Sequence, residues 1–236
     1  MAAEIITGNS FIVLDDLPSD KYDALISDPP YSSPKGSTKG QRKWSNSPRF
    51  KTVCMQNDDM DQRSWIHWTT EWLIKASRTL KVGSPIVLFS DWRQLSALSD
   101  AIRFAGFILC GIVPWKKVNA RPYRGGFKNQ CEYCLWGSWG KFVGNPDTFL
   151  PGIYRGGTVQ VSQRLSVAQK PLDLMRFLVK ITQKGGHILD PFCGSGTTLS
   201  AALLEGYDAT GIEIDAALAD MARNRIAKIF DPPPKQ

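Results

Sequence analysis

Two short apolar runs each break off into an aspartate followed by proline, and this pair of breaks limits the possible folds more than any other feature of the chain. Ala24, Leu25 and Ile26 lead to Asp28-Pro29-Pro30-Tyr31, while His187, Ile188 and Leu189 lead to Asp190-Pro191-Phe192-Cys193-Gly194-Ser195-Gly196-Thr197. A run this short, cut off by turn formers, suits a buried strand better than a helix. In the second motif, Gly-x-Gly opens directly onto a helical segment, which lets backbone turn tightly and approach a ligand closely. Between and around the two motifs, short apolar runs alternate with helical periodicity. That pattern predicts an α/β fold with a doubly wound, mostly parallel, seven-stranded sheet.

Strands are predicted at Glu4–Ile6, Ala24–Ser27, Ile86–Phe89, Ile108–Val113, Glu132–Trp136, His187–Leu189 and Ala209–Ile212. Helices are predicted over Gln62–Thr79, Trp92–Phe104, Leu172–Thr182, Thr197–Glu205 and Ala216–Ile229. In the last of these, Leu218, Met221, Ala222, Ile226 and Ile229 recur at spacings of three and four and form a core stripe. Trp65, Trp68 and Trp72, at helical spacing, are assigned to the core as well.

A chain of 236 residues holds one sizeable core, so residues 1–236 are expected to form a single catalytic domain. Two segments interrupt the alternation. Residues 32–61 are rich in Ser, Lys, Gly, Pro and Asn and are expected to form a mobile basic loop. Residues 137–168 carry many glycines and prolines and are a candidate target-recognition insert built of loops or a small hairpin. The net charge of +7 suits a polyanion partner, and its distribution sharpens that reading. Lys35, Lys39, Arg42, Lys43 and Arg49 fall in one acid-free stretch, and Lys116, Lys117, Arg121, Arg124 and Lys128 in another. Solvated basic loops would look the same, but directly after a base-gripping motif the first stretch is better read as a clamp on phosphates.

Five cysteines, an odd number, argue against a disulfide framework and for a reducing compartment. The N-terminal residues lack a basic region with an apolar core, and no apolar stretch approaches the roughly 18 residues of a membrane span, so a cytoplasmic location is expected. Cys131-x-x-Cys134 lacks a second ligand pair, and no metal is expected.

The residues of the first motif suit a flat, amine-bearing ring. A delocalised exocyclic amine is a poor nucleophile until acceptors localise its lone pair, and Asp28 with the Pro29 carbonyl supplies two such acceptors. Pro29 and Pro30 hold an extended turn, and Tyr31 offers a face for a base to stack on. Such stacking contributes about 1–3 kcal/mol, comparable with the few kcal/mol that extruding a base costs. Alone, these four residues also fit a strand-ending turn; the second motif favours the site. There, Asp190 is placed to hold a cofactor amino group, and Glu213 falls about 20 residues after Gly194, the offset of a ribose-binding carboxylate in doubly wound folds. Asp215 is expected to cap the last helix, and Asp91 either caps a helix or joins the site. Position 199 is Leu, so there is no Gly-x-Gly-x-x-Gly, and no P-loop occurs.

Together the motifs resemble those of the S-adenosylmethionine-dependent DNA amino-methyltransferases. Their order, base motif before cofactor motif, resembles the β group, whose sheet is a permuted form of the common Rossmann-like methyltransferase fold. The resemblance implies S-adenosylmethionine as cofactor, DNA as partner and a flipped-out target base. It implies catalytic roles for Asp28, Pro29, Pro30 and Tyr31. It also implies a cofactor site of Gly8, Asn9, Asp28, Lys170, Asp190, Phe192, Cys193, Gly194, Ser195, Gly196, Thr197 and Glu213. Asn9 stands where the group commonly has Asp, and is expected to accept from the cofactor's adenine. Gln169-Lys170-Pro171 resembles a segment at the cofactor's methionine end, so Lys170 is expected at its carboxylate, although Ser166-Val167-Ala168 replaces the usual His-Pro-Thr. Phosphate contacts fall to Lys35, Lys39, Arg42, Lys43, Arg49, Lys116, Arg121 and Arg124. Asp-Pro-Pro-Tyr is associated with adenine N6 and Ser-Pro-Pro-Tyr with cytosine N4, which gives an adenine N6-methyltransferase of the restriction-modification type. Cytosine N4 transfer and a non-catalytic DNA-binding module are the alternatives, with a protein-glutamine methyltransferase, which favours Asn-Pro-Pro-Tyr, ranked below them. A homodimer is left open.

Overall fold

The computed structural model describes residues 1–31, 60–160, 162, 164–165 and 169–230. Each predicted strand forms, and together with a further short strand they build an eight-stranded sheet in the order β1-β8-β7-β2-β3-β5-β4-β6. The strands are β1 (Ala3–Thr7), β2 (Ala24–Ser27), β3 (Pro85–Ser90), β4 (Ile108–Lys117), β5 (Cys131–Ser138), β6 (Tyr154–Gly156), β7 (His187–Asp190) and β8 (Asp208–Glu213). Pairing is parallel except around β5, which runs antiparallel to both β3 and β4. The seven-strand expectation is therefore corrected to eight. β6 is a three-residue edge strand inside the stretch expected to form loops or a small hairpin, and it pairs parallel to β4 through Trp115↔Tyr154. Three residues are too few to show alternation, so only their placement beside β4 makes them a strand.

Among the described residues six helices flank the sheet: α1 (Ser10–Asp16), α2 (Gln62–Ser77), α3 (Leu95–Phe104), α4 (Leu172–Val179), α5 (Thr197–Leu204) and α6 (Ala216–Phe230). No helix is predicted where α1 stands; it is two turns long and capped by Asn9, whose side chain accepts from Phe11 N. The helix expected from Trp92 starts at Leu95 instead, because Asp91 Oδ1 accepts from the amides of Arg93 and Gln94 and draws 91–94 into a separate turn. In α6, Ala222 and Ile226 of the expected stripe are buried and Leu218 and Ile229 half-buried, whereas Met221 is 42% exposed and Ala219 is buried beside them.

Alternation along the strands divides the core between two faces. Leu25, Ile86, Leu88 and Leu189 point to the side covered by α1, α2 and α3, whereas Ala24, Ile26, Val87, Phe89 and Ile188 point to the side covered by α4, α5 and α6. β2 and β7 are parallel neighbours, through Ala24↔Ile188 and Leu25↔Leu189. From β2 the chain crosses through α2 to β3, and from β7 through α5 to β8 on the other side. The direction of winding therefore reverses between these two strands, and in doubly wound sheets such a reversal opens a crevice at the carboxyl ends of the strands. Both sequence motifs sit there. No helix among the described residues is long and apolar enough to cross a membrane.

Candidate active site

The two motifs are latched to each other. Ser27, the last residue of β2, donates its hydroxyl to Asp190 Oδ1 at 2.6 Å, and Asp190 ends β7. Asp190 Oδ1 also accepts from Phe192 N at 3.1 Å, and the residue is 2% exposed. Asp190 thus ties the start of the Gly-rich loop to the neighbouring strand. Those bonds and its burial are what hold the Asp190 carboxyl in this structure.

Burial pushes the Asp190 carboxyl up from 3.8 to about 6, against the hydrogen bonds from Ser27, Thr198 and Phe192 N. A carboxyl raised in the folded state holds a proton that the unfolded chain has already lost between those two values. Stability is therefore expected to fall as pH rises from about 4 to about 6, and Asp190→Asn should flatten that part of the curve. Thermal melting across this range is the check; an unchanged slope in the variant would show that other groups set it.

The Gly-rich loop is shaped by two glycines with different tasks. Gly196 has φ +76 and precedes α5, and an added Cβ would lie 2.9 Å from Ala222 Cβ, so only a residue without a side chain lets α5 pack on α6 there. Gly194 has φ +52, and nothing lies within 4 Å of where its Cβ would stand, so its outer face is open. Gly196 N donates to Cys193 O at 2.8 Å to close the turn, and Arg225 of α6 donates to Thr197 Oγ1 at 2.8 Å to fix the start of α5. Ser10 Oγ of α1 donates to Pro191 O at 2.5 Å. Ser195 and Thr197 are buried at the loop's base. Cys193 is also buried, its thiol pushed well up by that burial, and a Cβ on Gly211 would come within 2.7 Å of its sulfur. It packs the loop onto β8.

The carboxylate of Glu213 lies beside Gly194. Oε2 accepts from Gly194 N and Oε1 from Asp215 N, each at 2.9 Å, and burial raises the carboxyl. Gly8 N donates to Glu213 O at 2.9 Å, which lines up the ends of β1, β8 and β7. Glu213 thus stands next to the open face of Gly194, where a ribose-binding carboxylate would be needed. Asn9, expected to accept from the cofactor's adenine, is the N-cap of α1, its side-chain oxygen accepting from Phe11 N at 3.0 Å with one lone pair left over. Asp215 caps α6, accepting from Ala217 N and Leu218 N. Phe192 meets the fully buried Trp72 at 5.1 Å and the half-buried Trp68 at 5.6 Å, and Trp68 reaches Phe11 at 5.9 Å, so an aromatic wall flanks the loop. These residues suit a nucleoside-like cofactor: an open glycine, a neighbouring carboxylate and an apolar wall.

At the end of β2, Asp28 is held by two donors. Tyr31 donates its hydroxyl to Asp28 Oδ1, and the Lys170 ammonium lies 2.5 Å from Oδ2. Lys170 Nζ is also 3.3 Å from Tyr31 Oη and 4.9 Å above the Phe89 ring. Lys170, expected at a cofactor carboxylate, is paired in the structure with Asp28. Glu132 of β5, a residue the sequence reading treated only as part of a strand, has Oε2 3.6 Å from Lys170 and Oε1 on Lys117 of β4. A lone carboxylate in an apolar strand was the available signal, since a buried charge needs a partner. Burial raises the Asp28 carboxyl, and Lys170 opposes without cancelling it. Burial would lower Lys170, but Asp28 and Glu132 hold it above its usual range. Burial would raise Glu132, but Lys170 and Lys117 keep it below. Tyr31 is raised well up by burial and by the Asp28 charge.

A second missed residue is Trp65, whose indole N–H donates to Pro30 O at 2.8 Å from a fully buried position on α2. A tryptophan enclosed on a helix usually finds a partner for its N–H, and here the partner is the motif backbone. Lys116 lies half-buried on β4, and Arg121 and Arg124 are exposed in the β4–β5 loop beside the exposed rings of Tyr123 and Phe127. Lys35, Lys39, Arg42, Lys43 and Arg49 lie outside the described residues. Cys134 is buried and Cys131 half-buried.

Comparison with known proteins agrees with this architecture. Type II methyltransferase M2.MboI of Moraxella bovis is 26% identical over 253 residues, spanning 95% of this chain and 88% of that protein. A crystal structure of an M1.HpyAVI–SAM complex superposes with a TM-score of 0.69 at 21% identity, covering 95% of this chain and 98% of that one. The cytosine-N4-specific PvuII DNA methyltransferase superposes with a TM-score of 0.73 at 15% identity, covering 98% and 91%. The sheet is thus that of the α/β methyltransferase fold. Residues 22–224, which include both motifs and the strands that join them, match the N6_N4_Mtase family of DNA methylases, and the chain belongs to that family.

Proposed function

We propose that this protein is a DNA adenine N6-methyltransferase that uses S-adenosylmethionine and acts on an adenine flipped out of the duplex. The observation that carries this reading is the Ser27–Asp190 hydrogen bond, which sets the Asp28 carboxylate and the open Gly194 face at the ends of adjacent strands. S-adenosylmethionine, when bound, supplies an electrophilic methyl group, so this chain needs to bind, orient and deprotonate, and needs no protein nucleophile. Gly194 and Glu213, with the Phe192 wall, would hold its nucleoside end. Asp28 and the Pro29 carbonyl accept the two amine hydrogens and localise the nitrogen lone pair toward the methyl donor. Tyr31 provides the stacking face, and Trp65 fixes the Pro30 carbonyl so that the turn keeps its aim. The methylated nitrogen must shed a proton, and Asp28, its carboxyl raised by burial, is placed to receive it. Lys35, Lys39, Arg42, Lys43, Arg49, Lys116, Arg121 and Arg124 hold phosphates, and residues 137–168 read target sequence.

Adenine is favoured over cytosine by Asp at position 28, where the cytosine N4 group has Ser. Incubation with S-adenosylmethionine and unmethylated genomic DNA, followed by digestion and mass spectrometry of the nucleosides, should yield N6-methyladenine. N4-methylcytosine without N6-methyladenine would overturn the base assignment. DNA binding with no methylated product and no cofactor binding by calorimetry would favour a non-catalytic DNA-binding module.

A further inference from the structure

Asp28 carries a burden that the reaction must lift. Resting on the reading of Asp28 as the acceptor for the target amine, the difficulty is that both its oxygens already have donors, Tyr31 and Lys170. An ammonium against Oδ2 also draws electron density from the carboxylate and weakens it as an acceptor. Next to this pair lies an acceptor with spare capacity. Glu132 Oε2 is buried and has no hydrogen bond, while Oε1 is held by Lys117, and Oε2 is 3.6 Å from the same Lys170 ammonium. A movement of roughly 1 Å by the lysine head would complete a hydrogen bond there.

We propose that Glu132 is a positioning residue that takes Lys170 over from Asp28 when the target amine arrives, leaving Asp28 Oδ2 free to accept the amine hydrogen. Lys117 anchors Glu132 so that only Oε2 faces the incoming lysine. The exchange keeps the pocket neutral, with two carboxylates and two ammonium groups before and after, so no charge enters or leaves a site largely shielded from water. The groups facing Asp28 are Lys170 ahead of α4, Tyr31 after β2, Glu132 and Cys134 on β5, and Asp190 on β7. Of these, only Glu132 is an anion within reach of the lysine.

Two substitutions with opposite expected signs test this. Glu132→Gln removes the anionic berth and leaves Lys170 on Asp28, so kcat should fall by about tenfold or more, and the acid limb of the kcat profile should move to lower pH by about half to one unit. Lys117→Met frees Glu132 to hold Lys170 more tightly and removes a nearby cation, so the acid limb should move to higher pH. Glu132→Asp keeps the charge and should restore part of the lost turnover. The assay uses radiolabelled S-adenosylmethionine and genomic DNA free of methylated bases, with melting temperature measured in parallel. In the ligand-free protein, carbon NMR of labelled aspartate, assigned against Asp28→Asn, should show Asp28 titrating lower in Glu132→Gln. If Glu132→Gln does not fold, the upward shift in Lys117→Met carries the test alone. Equal losses of activity with no opposing pH shifts would overturn the proposal and leave Glu132 a structural residue. Wild-type protein that transfers no methyl group would overturn the underlying reading and this inference with it.

Discussion

Asp28→Asn is expected to lower the turnover of methyl transfer by about 100- to 1,000-fold while leaving the protein folded. The substitution keeps the size of the side chain and one acceptor oxygen. It removes the charge that pulls on the amine hydrogens and the base that takes the released proton. Lys170 keeps Glu132 as a partner, so the local structure retains a paired cation. Cofactor affinity, measured by calorimetry, should change far less than kcat, because Gly194, Glu213 and the aromatic wall are untouched. Turnover within a few-fold of wild type would remove Asp28 from the chemistry and leave the motif as a turn.

Lys170→Met should be the most disruptive single change to the site in both stability and activity. Lys170 is the cation between Asp28 and Glu132, and its side chain is 11% exposed. Methionine fills a similar volume but leaves two carboxylates facing each other in a largely dry pocket. Breaking a buried pair in this way typically costs about 3 kcal/mol or more, reduced here to the extent that both carboxylates keep contact with water. The loss should depend on pH with a definite sign. Without the lysine both carboxyls rise in the folded state, so the variant loses stability as pH climbs above the unfolded carboxylate range near 4 and regains it on acidification. Chemical denaturation at pH 5 and pH 8 measures this. A deficit that is equal at both pH values would mean that packing, and not charge, gives Lys170 its weight.

Much of this arrangement is visible in the residues in order. The strand ends at Ser27 and Asp190 are marked by proline, the turn at Gly194 and Gly196 by the need for positive φ, and the cap at Asp215 by its place before α6. The elements that went unread are short or depend on distant partners. α1 is two turns long and β6 three residues, neither long enough to show a period, and α3 starts late because Asp91 captures the amides ahead of it. The structural tasks of Asn9, which caps α1, and of Asp190, which bonds Ser27 of a neighbouring strand, likewise depend on the folded chain.

The sequence by itself determined the fold class, the two motifs and their chemical types, because hydrophobic period, proline and glycine act on the backbone within a few residues of where they stand. Only the tertiary structure decided which charges meet. Asp28, Lys170, Glu132 and Lys117 come from four separate parts of the chain, and no local rule relates them. The order of the strands brings each within 4 Å of an opposite charge, and once buried there each charge must find such a partner among its neighbours in space.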